Sequence, residues 1–328
     1  MNGYLNLRQH FDLMCSWLVT IQTAILAIVF IGTSLPATAQ IILQQPCETD
    51  TPVFTDVPNQ TLCEQYIEFS CDTEIGAGTD FPMSSTIGSS LSGNVCIKGT
   101  FVVDKDFAFD AATVKIDPGV TIIINSNILL SVDNSKLFAC DDLWKGIMLS
   151  QLSSIATNNS EIEDAVTAIS ATGLCGLSIE NTIFNRDRIG IELSNYKQGA
   201  LNWNFIGNTF TCDAPLNGTQ NEITYAGVKL TDSYFQSRAK STFSGIQYGI
   251  RAEGNTSYIV ARNLEFQNIL RDGIHMDKGN LNLRGAKFTN CYDKGIYILT
   301  ANNVSILGNC NFLWNDSLPL LVPNMQIP

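Results

Sequence analysis

Histidine is nearly missing from this chain, and charge of either kind is scarce. Two histidines stand in 328 residues, only 15% of residues are charged, and 31 acids outnumber 19 bases for a formal charge of −12. A surface that reads nucleic acid or sits on anionic lipid needs a basic footprint, so both partners are excluded. No C-x-x-C occurs among the ten cysteines and the only histidines are His10 and His275, so the pattern gives a zinc site little support. G-x-G-x-x-G, a Walker loop, G-x-S-x-G and H-E-x-x-H are all absent. The one long apolar stretch, Trp17 to Ile31, is followed by Pro36-Ala37-Thr38-Ala39. That pattern reads as a secretory leader cleaved after Ala39 rather than a membrane anchor, and it leaves a mature chain with no membrane span.

What the chain does have is a repeat. A glycine followed by a β-branched residue returns at Gly146-Ile147, Gly190-Ile191, Gly227-Val228, Gly249-Ile250, Gly273-Ile274 and Gly295-Ile296, with Ala168-Ile169 filling the first gap. The spacing is about 22 residues except for one long step, which carries an insertion from Cys212 to Tyr225. A fixed period of this length marks a solenoid of stacked coils. After each glycine an apolar, variable, apolar triplet such as Ile191-Glu192-Leu193 or Ile274-His275-Met276 gives the alternation of a strand with one buried face. Six or seven residues before the glycine stand Phe184, Phe243, Phe266 and Phe288, which are expected to stack as an aromatic ladder inside the solenoid. Further upstream, Leu281, Leu283 and Ala286 repeat the spacing of Ile259, Ala261 and Leu264. Two or three short strands per turn with no helical period predict an all-β chain, a single-stranded parallel β-helix of about 22 residues per coil.

These repeats, over roughly 96–315, resemble the right-handed parallel β-helix family of pectate lyases, polygalacturonases and many bacterial surface proteins. The runs Lys98-Gly99-Thr100-Phe101, Pro118-Gly119-Val120-Thr121 and Cys140-Asp141-Asp142-Leu143-Trp144 are similar to the opening coils of secreted bacterial β-helix proteins of unassigned role. The resemblance implies a right-handed coil and says little about activity, because the same coil hosts lyases, hydrolases, epimerases and proteins without known chemistry.

The expected organisation is a leader 1–39, a cysteine-bearing segment 40–95, the β-helix 96–317 and a tail 318–328. Cys47, Cys63, Cys71 and Cys96 lie close together, which predicts one or two disulfides in an oxidising compartment and a protein that is secreted or held at the cell surface. Cys175, Cys291 and Cys310 fall within coils and read as buried thiols. Leu318-Pro319-Leu320-Leu321-Val322-Pro323 is no recognisable cap for a solenoid end, so the sequence reads as a fragment or a truncated frame.

Three constellations could carry chemistry. Asp141, Asp142, Glu163 and Asp164 precede their repeat positions by four or five residues, with Arg186 and Arg188 one coil further on. Stacked acids beside arginine could hold Ca²⁺, the only cofactor the chain suggests; a polar turn ladder of residues that tolerate left-handed backbone explains the same pattern. Asp272 and His275 flank Gly273 where polygalacturonase-like enzymes carry catalytic aspartates, but N-T-D, G-H-G and R-I-K are missing. Together Asp272, His275, Arg186 and Arg188 are the catalytic candidates. The third set is the variable position after each glycine: Glu192, Lys229, Arg251, His275 and Tyr297. The pleat turns all five outward, into one stripe that could bind a linear glycan or serve as an ordinary solvent face. The expected function is a non-catalytic scaffold contacting polysaccharide or a cell-envelope glycan. The alternative is a polysaccharide lyase or glycoside hydrolase acting on an acidic polymer.

Overall fold

The protein is described from a computed structural model over residues 41–43, 69–76, 81–82, 87–197, 204–219, 221–308 and 310–313. The expected leader, Cys47, Cys63 and the tail lie outside these residues. The chain divides into Met1–Ala39 and Gln40–Pro328, and the fold belongs to the second unit.

Every described element is a strand or turn, and the strands stack in three walls. Ile147, Ile169, Ile191, Val228, Ile250, Ile274 and Ile296 form one unbroken parallel row, so the glycine period of the sequence is the physical coil. The long step between Ile191 and Val228 leaves the register intact, because the extra residues leave the wall between one strand and the next. A second wall runs through Leu130, Ile155 and Leu177, and resumes as Phe235, Ile259, Leu281 and Val304. Phe205 and Phe235 meet edge to face at 5.1 Å where these two blocks abut. A third wall carries Val114, Leu137, Ile162, Phe184, Phe210, Phe243, Phe266, Phe288 and Phe312 in register. Long strands bend round the corners and join walls: Phe107–Ile116 joins second to third, while Asp272–Arg284 and Lys294–Leu307 join first to second.

The phenylalanine ladder is longer than the spacing predicts. Phe184, Phe210, Phe243, Phe266, Phe288 and Phe312 stack with centroids 4.7–5.0 Å apart and planes within 14°. Phe210 was hidden from the period by the insertion that follows it. This ladder also explains the glycines. A Cβ on Gly273 would lie 2.7 Å from the Phe288 ring and 2.7 Å from the Gly295 carbonyl oxygen, so the stacked rings leave room only for hydrogen. Glycine and phenylalanine recur together because each coil's glycine is the floor for the next coil's ring.

Polar side chains satisfy the buried turns. Ser135 Oγ accepts from Ala112 N, Ser160 Oγ from Ser135 N, Asn208 Oδ1 from Thr182 N and Ser241 Oγ from Asn208 N, all at 3.0–3.2 Å. Without these oxygens each turn would bury an unpaired backbone N–H, at about 1–3 kcal/mol apiece.

Parallel stacking begins upstream of Cys96. Thr73–Ile75 pairs with 95–97, and Phe81–Pro82 pairs with the start of Phe101–Val103. A disulfide joins Cys71 to Cys96, and Cys140 is also disulfide-bonded. Cys175, Cys212, Cys291 and Cys310 are free; the first three are buried and Cys310 is partly exposed. Ile41–Leu43 pairs antiparallel with 296–298 and covers that free edge of the first wall.

Candidate functional site

The outward position after each glycine builds the first constellation. Glu192, Lys229, Arg251, His275 and Tyr297 occupy one continuous register row, each one coil from the next. Their inward neighbours are core residues, so the pleat forces these five out. Glu192 and Lys229 pair at 3.0 Å, and Arg251 Nε donates to Glu253 at 2.8 Å.

A second outward row, one residue before the glycine, brings Tyr248, Asp272 and Lys294 alongside. His275 sits between the two rows. Its Nδ1 lies 2.6 Å from Asp272 Oδ2 and its Nε2 lies 3.1 Å from Asp277 Oδ1, so both ring nitrogens face carboxylates. The Tyr248 and Tyr297 rings flank the imidazole at 5.4 and 4.8 Å. The Arg251 guanidinium rests over Tyr248 at 4.9 Å, Arg271 donates to the Tyr248 hydroxyl at 3.1 Å, and Lys294 lies 5.0 Å from the Tyr297 centroid. Asp272 is buried and its Oδ1 has no partner among the described residues. The result is a polar face with aromatic rings, cations and acids on consecutive coils, in which Tyr248 is 5% exposed beneath the Arg251 and Arg271 side chains. The sequence pattern exposed the first row and the Asp272–His275 pair. It missed Tyr225 and Tyr248, whose only signal was their place one or two residues ahead of the repeat glycine.

The second constellation lies on the outer side of the third wall, beneath the insertion. Arg186 Nε donates to Asp164 at 3.0 Å, its Nη2 to Glu163 at 2.9 Å, and its Nη1 to Asp213 of the insertion at 3.0 Å. Lys136 bridges Glu161 and Glu163 at 3.1 and 3.2 Å. Glu163 and Asp164 are 1% exposed and Arg186 is 4% exposed, although all stand on a wall's outer side. The insertion accounts for part of that cover: Asn217 Nδ2 donates to Ala139 O at 3.2 Å and Arg188 pairs with Glu222 at 2.8 Å, tying it to several coils at once.

Burial, with a hydrogen bond to Glu161, pushes the Glu163 carboxyl up to about 8. Burial also raises Asp164, against the pull of Arg186. Asp187 rises well above the ordinary carboxyl range because it is buried with only Ala165 N to bond. Burial would lower Lys136, but Glu163 and Glu161 outweigh it and the ammonium is raised.

The sequence-predicted acids are only partly gathered here. Asp164 and Arg186 do stack on adjacent coils, and both adopt left-handed backbone, at φ 61° and 53°. Asp142 stands apart: the turn 140–143 is longer, and Asp142 Oδ1 accepts from Leu143 N beside Gly218. Asp141 has left-handed backbone at φ 70°, as do Asn268 and Asn290 at the same offset, which is the turn-ladder role. A cation entering at Glu163 and Asp164 would compete with the Arg186 guanidinium. Among the described residues no group of three His, Cys, Asp or Glu side chains is arranged to hold a metal ion.

With both constellations placed, comparison with known proteins adds the following. A family model described as "Right handed beta helix region" matches residues 226–321. The fold is a right-handed parallel β-helix. No curated protein matches the chain. Among solved structures, the β-helix is similar to the catalytic unit of a thermostable GH87 alpha-1,3-glucanase from Streptomyces thermodiastaticus strain HF3-3, at 12% identity and a TM-score of 0.41, over 68% of this chain and 54% of that one. A second similar structure is the Streptococcus pneumoniae surface protein and adhesin PfbA, at 10% identity and a TM-score of 0.18, over 69% of this chain and 92% of that one. This chain spans about half the length of the glucanase unit. Among the described residues no helix is long and apolar enough to cross a membrane.

Proposed function

We propose that this chain is a glycan-contacting scaffold of the cell exterior, which lays a linear polysaccharide or cell-envelope glycan across the outer face of its first wall. The observation that carries this reading is the unbroken row Glu192, Lys229, Arg251, His275 and Tyr297, with the rings of Tyr248, His275 and Tyr297 within 5.4 Å of one another in sequence along the coils. Aromatic faces take the C–H faces of pyranose rings, and flanking arginines and acids take the hydroxyls. A β-helix wall is rigid, so little ordering entropy opposes binding of an extended polymer.

One observation favours a catalytic reading as well. The 2.6 Å contact of His275 with the buried Asp272 would orient the imidazole for proton transfer in a hydrolase or lyase, provided that substrate displaces the Asp277 carboxylate from Nε2. One experiment separates the two. The chain is run on a panel of acidic and neutral polysaccharide resins while new reducing ends and unsaturated uronide absorbance are scored. Retention that drops at least tenfold in Tyr248→Ala, with no cleavage, is expected of the scaffold. Cleavage abolished in Asp272→Asn would establish the enzyme instead, and retention unchanged in Tyr248→Ala would remove the first wall from the account.

A further inference from the structure

The corner between the second and third walls holds a cavity of about 420 Å³, within the range of small-ligand sites. Asn134, Asn159 and Asn181 line it on three successive coils, with Lys136, Glu161 and Ile183 on one side. It shares no residue with the first-wall face.

The three asparagines have left-handed backbone, at φ 47°, 48° and 47°. Backbone bonds from Asn134 N to Asn158 O and from Asn159 N to Glu180 O keep them in a column, about 4.8 Å per coil. That conformation calls for asparagine or glycine. Further along the same column Asn263 keeps the amide at φ 54°, whereas Gly207, Gly285 and Gly308 meet the conformation with no side chain at all, at φ 72°, 67° and 72°. The turn geometry therefore does not require the amides where the cavity lies. Nor do the amides serve the fold by hydrogen bonding: Asn208, Asn204 and Asn290 spend theirs on neighbouring coils, whereas the side chains of Asn134, Asn159 and Asn181 bond to nothing among the described residues.

The other polar groups are committed. Lys136 is held between Glu161 and Glu163, and the Ser135 and Ser160 hydroxyls donate to backbone carbonyls of Asp133 and of Val132 and Asn158. The cavity thus offers three amides without a hydrogen bond among the described residues, the Asn181 oxygen resting against Gly207 of the next coil, together with an apolar patch at the exposed Ile183 and charges already balanced within the wall. A hydroxyl both donates and accepts, and a pyranose C–H face matches the apolar patch. We infer that this corner is a second carbohydrate site, which takes a neutral, hydroxyl-bearing sugar chain running along the solenoid axis.

Affinity electrophoresis in native gels containing neutral glucan, xylan or galactomannan tests this, with a polyuronate gel alongside. The key variant is the triple Asn134→Gly/Asn159→Gly/Asn181→Gly, which keeps the backbone conformation as Gly207 does and removes only the amides. A single Asn159→Asp keeps side-chain bulk and left-handed tolerance while deleting the donor, in case the triple variant folds poorly. The chain is expected to be retarded by at least one neutral polymer. The triple variant should lose that retardation, with an apparent Kd at least tenfold weaker, and Asn159→Asp should weaken it measurably. Free migration of the unaltered chain in every neutral gel, or equal retardation of chain and variants, would overturn the inference. Neither result touches the first-wall reading, which Tyr248→Ala tests separately.

Discussion

Arg251 and Arg186 occupy outer positions on two walls of one solenoid, and each meets acids. Arg251 is 18% exposed, stacks on Tyr248 and pairs with the 32% exposed Glu253. Arg186 is 4% exposed, with the insertion over it and three carboxylates around it. The covalent chemistry is the same; the cover differs. On the first wall the ion pairs are solvated, worth roughly 0–1 kcal/mol each, and free to exchange a partner for a ligand. Under the insertion the charges have left water, and their attraction must offset that desolvation before it stabilises anything. An open face is suited to binding, and a covered one to fixing the insertion in place.

The largest effect should come from breaking the covered network. Arg186→Met leaves Glu163 and Asp164 buried without their cation, and removal of one partner of a buried set costs about 3–5 kcal/mol. Arg251→Met should cost under about 1 kcal/mol. Urea denaturation of both variants measures the contrast, and equal losses would mean that water reaches Arg186. A pH series tests the same difference next. The Glu163 carboxyl stands near 8 when folded against an ordinary value of 4.5, so between those values the folded state holds more protons than the unfolded chain. That stability is complete below about 4.5 and is lost as pH rises through about 8. Asp187 acts in the same direction; Glu161, which is lowered, acts oppositely as pH falls through its folded value. The thermal midpoint is therefore expected to fall between pH 5 and pH 8, by the equivalent of a few kcal/mol, and Glu163→Gln should flatten the slope. A flat profile in the unaltered chain would show that Glu163 is an ordinary ionised partner of Arg186.

How much of this was legible beforehand follows from what periodicity can encode. The coil, its register and the outward row at Glu192, Lys229, Arg251, His275 and Tyr297 were readable, because each is a fixed offset from a glycine that the phenylalanine ladder makes obligatory. The burial of Glu163 and Arg186 was not. Their offsets mark them as outward and polar, and the path of the insertion back across the wall to Ala139, which supplies part of their cover, cannot be read from those offsets. Asp142 shares the offset of Asp164 from its repeat position but not its place in the column, because the turn at Cys140–Leu143 is longer. The asparagine column is not legible in the sequence because it sits far from the repeat glycine, at a corner whose position shifts with strand length.

The smallest expected effect is the most informative about the open face. Glu192 and Lys229 pair at 3.0 Å within the row and are 26% and 23% exposed, somewhat more than Arg251 at 18% and far more than Arg186 at 4%. A double-mutant cycle with Glu192→Gln and Lys229→Met should give a coupling of about 0.5 kcal/mol or less, because partial exposure lets solvent screen the pair. The same two substitutions remove a charged acceptor oxygen and an ammonium donor from the middle of the row. Retention on the polysaccharide that the unaltered chain binds is therefore expected to weaken severalfold while the urea midpoint stays within error. If stability fell and retention did not, the pair would belong with Arg186 as structural, and the glycan would have to bind nearer Tyr248 and Tyr297 alone.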